Sequence, residues 1–278
     1  MVAKSSESGG VPRSLTLGVD ASHWQPEIDW PMFYKEGVRF AIVKASQGSY
    51  STDALLKKHL YEARAAGMIV GVYHWHDPNN APALQLDKLV KAVTGLDFDF
   101  LAVDVEQYWQ DWEEWKVQRV TKKFSGKKIS DSSLQLANLV KSKFGKETLI
   151  YTRASFVKEH APEMETWLPD WPLWLAHYPY GMDRIRTSWA TLKKTFLPKI
   201  SGPWRPDNCD DWRFWQWSGD KFVLPGCETA LDLNYFNGDE NGLREFLELI
   251  PVIPQLSLEE KVKLLWELHP ELHELKEV

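Results

Sequence analysis

Eight short apolar runs, most of them parted by helix-like stretches, narrow what this chain can become more than any other feature. In order they are LTLGVDAS (Leu15 to Ser22), RFAIVKAS (Arg39 to Ser46), MIVGVYHW (Met68 to Trp75), FLAVDVE (Phe100 to Glu106), TLIYTR (Thr148 to Arg153), PLWLAHY (Pro172 to Tyr178), RFWQWS (Arg213 to Ser218) and ALDLNYF (Ala230 to Phe236). Each is rich in β-branched or aromatic residues and has the length of an ordinary strand. Between them, Leu55, Leu56, Leu60, Ala63 and Ala66 recur at helical spacing before Gly67. Ala83, Leu86, Leu89, Val90 and Val93 do so before Gly95; Leu134, Leu136, Leu139, Val140 and Phe144 do so before Gly145. Leu243, Phe246, Leu247 and Ile250 follow the last run. Glycine just past an apolar helical stripe is a stop signal. Alternation of this kind predicts parallel strands joined by helical crossovers, and eight strands suffice to close a ring. The later connections are weaker: Pro198 to Asp211 is loop-like, and Gly219 to Gly226 suggests a tight hairpin. The expected fold is therefore α/β, an irregular (β/α) barrel of eight strands. An open doubly wound sheet is the competitor, but no Gly-rich phosphate loop follows the first strand.

The length of 278 residues suits one such barrel. Residues 1–14 are small and polar and read as a flexible leader, residues 15–250 as the barrel, and residues 251–278 as a Pro-rich linker with an amphipathic C-terminal helix. In that tail Ser257 and Glu260 form a capping box, and Val262, Leu265, Trp266 and Leu272 share a face expected to dock on the barrel. The leader has no apolar core, so no Sec signal peptide is expected; synthesis in the cytoplasm followed by release, or export by another route, is. No run of 18 apolar residues occurs, so no membrane partner is expected. The net charge of −6, with no concentrated basic stretch, argues against nucleic acid. Cys209 and Cys227 are too few for a disulfide framework or a zinc site; pairing with each other and two free thiols both remain open.

The chemistry concentrates at strand ends. In FLAVDVE, Asp104 and Glu106 are two apart, so on a strand they project together while Val105 points away. The C-terminal strand ends are where (β/α) barrels do chemistry. Two acids held side by side among apolar neighbours repel one another, which raises one pKa and leaves a proton donor beside an anion. That pairing is what glycosidic cleavage needs. Asp20 ends the first run, and Asp232 lies in the eighth. First and last strands of a closed barrel are neighbours, so these two acids are expected side by side on the same rim. Solvated strand ends and a metal-binding acid cluster are the competing readings. No matching histidine spacing accompanies the acids, so no metal and no cofactor is expected.

The 15 Trp outnumber the 12 Phe and 9 Tyr, and Trp rings stack on sugar faces while their N–H groups hydrogen-bond. Trp24, Tyr73, Trp75, Tyr108, Trp109, Tyr178, Trp215, Trp217 and Tyr235 cluster near the predicted strand ends; of these Tyr73, Trp75, Tyr108, Tyr178 and Trp217 are the expected substrate contacts. His23, His74, His76 and His177 are expected to hydrogen-bond the substrate or the carboxylates.

The segments GVDASHWQ, FAIVKASQG, GVYHW, LAVDVE, LIYTR, LWLAHY, WQWS and LDLNYF, in that order over roughly residues 15–250, resemble the glycoside hydrolase family 25 lysozymes, the Chalaropsis-type N-acetylmuramidases. The resemblance implies a flattened, TIM-barrel-like (β/α) barrel with an electronegative groove, acting as a monomer on bacterial peptidoglycan. It implies Glu106 as general acid. Asp104 is its partner, either stabilising an oxocarbenium ion or orienting the substrate's acetamido group. Asp20 and Asp232 match the other two acids, and Tyr178 and Trp217 match groove aromatics. A chain without a signal peptide resembles a phage endolysin. The Trp- and Lys-rich stretch Trp109 to Lys128 departs from the pattern and is expected to form an extended loop over the groove. A family 18 chitinase pattern, D-x-x-D-x-D-x-E, fits Asp99, Asp104 and Glu106 but fails at Ala102. A wall-binding module without activity is the third reading, and the four acids speak against it.

Overall fold

The computed structural model describes residues 14–118, 122–181, 183–196, 202–249 and 258–268. Ten strands run β1 (Thr16–Ala21), β2 (Val38–Gln47), β3 (Ser51–Thr52), β4 (Ile69–Trp75), β5 (Phe100–Asp104), β6 (Thr148–Thr152), β7 (Leu173–Ala176), β8 (Ile185–Arg186), β9 (Phe214–Val223) and β10 (Leu231–Phe236). Parallel ladders join β1 to β2, then β4, β5, β6, β7 and β9 in succession; β10 pairs antiparallel with β9 and with β1, which closes the ring. Eight strands make the barrel, as the apolar runs predict. The two-residue β3 and β8 only extend β2 and β9.

The hairpin expected before the last run is present: β10 runs antiparallel because a short turn over residues 224–230, with no helix to carry the chain across the barrel, allows only that return. Its place needs correction, because the chain does not turn at Gly219. Strand β9 continues through it and bulges, since Ser218 pairs with Leu233 and Phe222 with Leu231, and Asp220 takes a left-handed φ of 52°.

Outside the ring lie helices α1 (Trp30–Lys35), α2 (Leu56–Ala65), α3 (Pro82–Val93), α4 (Trp112–Gln118), α5 (Gly126–Phe144), α6 (Ala154–His160), α7 (Trp189–Thr195) and α8 (Glu240–Phe246). Helices α2, α3 and α5 stop within two residues of Gly67, Gly95 and Gly145, the stops read from the sequence. Strand alternation divides the apolar residues into two bodies. Leu17, Val19, Val43, Val72, Leu101, Val103 and Val105 face outward to the helices. Phe40, Ile42, Phe100, Leu149, Phe214 and Phe236 fill the barrel interior. Phe214 lies edge-on to Phe40 (5.2 Å, 84°) and stacked on Phe100 (5.4 Å, 21°). Each such ring contributes roughly 1.5–3 kcal/mol by burial. Phe40 fits because its neighbour Gly18 has no side chain: a Cβ there would stand 2.2 Å from the ring. Gly71 makes the same room for Phe100, at 2.4 Å. This plug of rings closes the barrel from below, so the open end lies above it.

Helix α9 (Leu258–Leu268) forms in the tail as expected, with Leu258 and Val262 exposed and Trp266 about half-exposed. Residues 1–13 of the leader, the linker with Ser257, and Leu272 lie outside the described residues. Cys209 and Cys227 are buried free thiols. No helix among the described residues is long and apolar enough to cross a membrane.

Candidate active site

Strand β5 alternates as its sequence requires. Phe100, Ala102 and Asp104 face the interior, while Leu101, Val103 and Val105 face the helices. The Val105 N–H donates to the Tyr151 carbonyl at 2.8 Å, which carries the ladder one residue past the strand and brings Glu106 to the same side as Asp104. Both line a cleft of about 620 Å³ at the open end of the barrel, together with Asp20, Asp232, Lys44, Tyr73, Trp75 and Tyr178. The four acids read from the sequence are thus brought together. For Asp232 the reason differs from the one expected. It is the second residue of β10, not its end, and it reaches the same rim only because β10 is reversed; the register sets it directly opposite Asp20.

Burial governs the electrostatics. Asp104 is 4 % exposed, and its Oδ1 is buried with no hydrogen-bond partner among the described residues. Burial first, and the Glu106 charge second, push the Asp104 carboxyl well above the carboxylate range, with Lys44 opposing. Glu106, half-buried, is raised by burial and held back by Arg153 and Lys44. Asp232 is raised well above its ordinary value by burial and then by Asp20. Asp20 is pushed from 3.8 to about 7, chiefly by burial, although Gln216 and Asn234 donate to it. Four crowded acids with raised pKa values hold their protons to higher pH than free carboxyls do, and they share them as a coupled group. Lys44 is the cation facing them from β2: its Nζ reaches Gln47 Oε1 at 3.0 Å and lies 4.9 Å from the Trp75 ring. Burial lowers its pKa while Asp104, Asp53 and Glu106 support its charge.

A hydrogen-bond chain fixes the acids from behind. The Trp174 indole can only donate, and it does so to Asn234 Oδ1 at 2.8 Å. That fixes which end of the amide is nitrogen, so Asn234 Nδ2 donates to Asp20 Oδ2 at 2.6 Å. Gln216 Nε2 donates to the same oxygen at 2.9 Å, while its Oε1 accepts from Tyr151 at 2.7 Å and from Tyr178. The Asp220 N–H, turned inward by the β9 bulge, donates to Asp232 Oδ1 at 3.0 Å.

Among the expected substrate contacts, Tyr73, Trp75 and Tyr178 line the cleft, and Trp24 joins them. Trp217 does not. In WQWS the alternation turns Trp215 and Trp217 outward and Gln216 inward, and Trp217 is wholly buried against Tyr235 and Tyr180. Tyr108 does not line the cleft either: it stacks on His160 at 3.9 Å beneath Lys123 and accepts from Trp115 Nε1. Tyr235 and Trp215 also face the helices.

The histidines are corrected as well. His74 on β4 and His76 just past its end have outward parity and bond Ser46 with Gln85, and Ser132, respectively; His23 bonds Asp53; His177 stacks on Trp204. None of these bonds reaches a cleft carboxylate. The stretch after Glu106 is not an open loop over the cleft. It includes α4 and a bridge between Trp109 and Lys123, with Trp109, Trp112 and Trp115 stacked on one another, and no described residue of it lines the cleft. Asp99 sits before β5, below the cleft, clamping Arg64 through two bonds of 2.8 and 2.9 Å.

Reading the sequence missed Lys44, Tyr151, Trp174, Gln216 and Asn234. A period-two signal was present: Asn234 is two residues after Asp232, and Gln216 has the inward parity of Phe214.

The model of the glycosyl hydrolases of family 25 matches residues 19–226. The chain is similar to the uncharacterised YegX protein of Escherichia coli strain K12, 29 % identical over 252 residues that span 88 % of this chain and 78 % of that one. It is similar to lysozyme M1 of Streptomyces globisporus, 26 % identical over 231 residues spanning 83 % of this chain and 70 % of the other. In fold it matches the crystal structure of the bacterial lysozyme from Streptomyces coelicolor with a TM-score of 0.64 at 22 % identity, covering 84 % of this chain and 96 % of that chain.

Proposed function

The chain belongs to the glycosyl hydrolases of family 25 and is a glycoside hydrolase; from that premise we propose that it is a lysozyme, cleaving the β-1,4 bond between N-acetylmuramic acid and N-acetylglucosamine in bacterial peptidoglycan. The observation that carries this reading is the Asp104–Glu106 pair, two carboxyl groups on one wall of a single cleft with their pKa values raised. The relatives named as lysozymes support the choice of substrate.

Glu106 is the proton donor. Both acids line the cleft, and Glu106 is the more exposed of the pair, Asp104 being only 4 % exposed. Crowding of the two acids favours one proton between them; burial draws it to Asp104 and Lys44 opposes that, and the productive form is the one with the proton on Glu106, which passes it to the leaving glycosidic oxygen. Asp104, its charge supported by Lys44, then faces the positive charge that develops on the sugar ring. A preorganised anion in a site sheltered from water serves this better than solvent does. Asp20 and Asp232, locked by Asn234, Gln216 and the Asp220 amide, hold polar groups of the sugar, and Tyr73, Trp75 and Tyr178 offer ring faces and edges. All of these groups come from one chain, so a monomer suffices. A chitinase would be expected to use the second acid of its strand motif, but Ala102 stands at that place and Asp99 is bound to Arg64.

Glu106→Gln tests the assignment. Turbidity loss of purified peptidoglycan falls by a factor of about 10² or more, while the unfolding midpoint and wall binding persist. Undiminished lysis by this variant refutes Glu106 as the acid, and release of soluble oligomers from chitin by the wild type refutes the choice of substrate.

A further inference from the structure

Strands β7 and β9 have two faces, and only one of them looks into the cleft. Past the end of β7, Tyr178 turns into the cleft and His177 turns out; on β9, Gln216 turns in and Trp215 turns out. The outward pair borders a second cavity of about 930 Å³, walled on its other side by the segment from Gly202 to Trp212. Trp204, in that segment, is 69 % exposed, an unusual place for the largest apolar side chain.

The exposed ring is rigidly presented. Trp204 stacks on His177 with ring centres 4.4 Å apart and planes within 19°, and His177 in turn lies parallel to Trp215 at 6.2 Å and 12°. The base of this stack is fixed to the barrel wall: the His177 N–H donates to the Gln216 carbonyl at 3.1 Å, and the Trp215 indole donates to the His177 carbonyl at 2.9 Å. Pro203 and Pro206 flank Trp204 and Arg205, and proline fixes its own φ. Burial lowers the His177 pKa, so the middle ring is neutral at neutral pH. Beside the outer ring, Arg205, Asp207 and Asp210 line the same cavity, supplying both donors and acceptors.

A flat, preorganised aromatic face edged by charged donors and acceptors suits a pyranose ring, whose C–H face stacks while its hydroxyls hydrogen-bond. We propose that the Trp204–His177–Trp215 stack is a second, non-catalytic saccharide-binding site that holds N-acetylated glycan of the wall outside the cleft. The proposal rests on the lysozyme reading for its ligand. A neighbouring glycan strand held there keeps the cleft close to an insoluble polymer and raises the effective concentration of cleavable bonds.

The test uses the full chain carrying Glu106→Gln, with and without Trp204→Ala, in sedimentation binding to insoluble purified peptidoglycan. The expected result is about a tenfold loss of affinity on removing the ring, with Trp204→Phe keeping most of it. In the otherwise wild-type chain, Trp204→Ala leaves kcat/KM on a short soluble peptidoglycan fragment within about twofold, while clearance of insoluble wall slows. Unchanged sedimentation overturns the second site. An equal fall of kcat/KM on the short fragment also overturns it, placing Trp204 in the service of the cleft or the fold. Failure of the wild type to cleave either material counts against the lysozyme reading instead, and sedimentation of the Glu106→Gln chain still reports on Trp204.

Discussion

Asp20→Asn should make the protein more stable, and increasingly so as the pH rises. In the folded chain Asp20 titrates near 7 instead of 3.8 because burial penalises its charge more than Gln216 and Asn234 relieve it. A carboxyl raised in this way gives stability that is fully present below its unfolded pKa and is lost as pH climbs through the folded one. The loss runs at about 1.4 kcal/mol per pH unit between those limits, on the order of 4 kcal/mol in all. Asparagine removes the titration and keeps the geometry. Its Oδ1 accepts from Gln216 Nε2 and Asn234 Nδ2 as Asp20 Oδ2 does, and its amide N–H faces Asp232, which accepts. Asp232 and Glu106 also lose a like-charged neighbour. Urea unfolding of both proteins from pH 4 to pH 8 measures the effect. The variant should match the wild type near pH 4, exceed it by roughly 2–4 kcal/mol at pH 8, and lose activity. A stability difference that does not change with pH, or one of opposite sign at pH 8, refutes the reasoning.

Other perturbations probe separate parts of the account. Lys44→Met removes the cation that supports both Asp104 and Glu106 as anions, so the acid limb of the kcat/KM–pH profile should move up by about one pH unit; an unmoved limb shows that Lys44 does not tune the pair. Gly18→Ala places a methyl 2.2 Å from the Phe40 ring and should cost roughly 1–3 kcal/mol in urea unfolding, whereas an unchanged midpoint means that the barrel floor is loosely packed.

Much of this molecule is legible in its sequence, and the failures share a cause. The strands are legible because each buries one face on helices and the other in the barrel, leaving short apolar runs with glycine stops between. The Asp104–Glu106 pair is legible because a two-residue spacing on a strand leaves only one outcome. The place of the last turn is not, since β9 runs on past Gly219 through a bulge that period-two alternation does not announce. Trp217 and the histidines mislead for a different reason. Aromatic and imidazole groups serve equally well against helices and against sugars, so residue type says less than parity, and parity in WQWS puts Gln216 inside. Reading strand parity before residue type would have found Gln216, Asn234 and Lys44.

Mass spectrometry of digested peptidoglycan tests the central claim most directly. The wild type should release fragments with muramic acid at every new reducing end, and Glu106→Gln should release none. Glucosamine at those ends, or muramic ends from the Glu106→Gln chain at the wild-type rate, would contradict it.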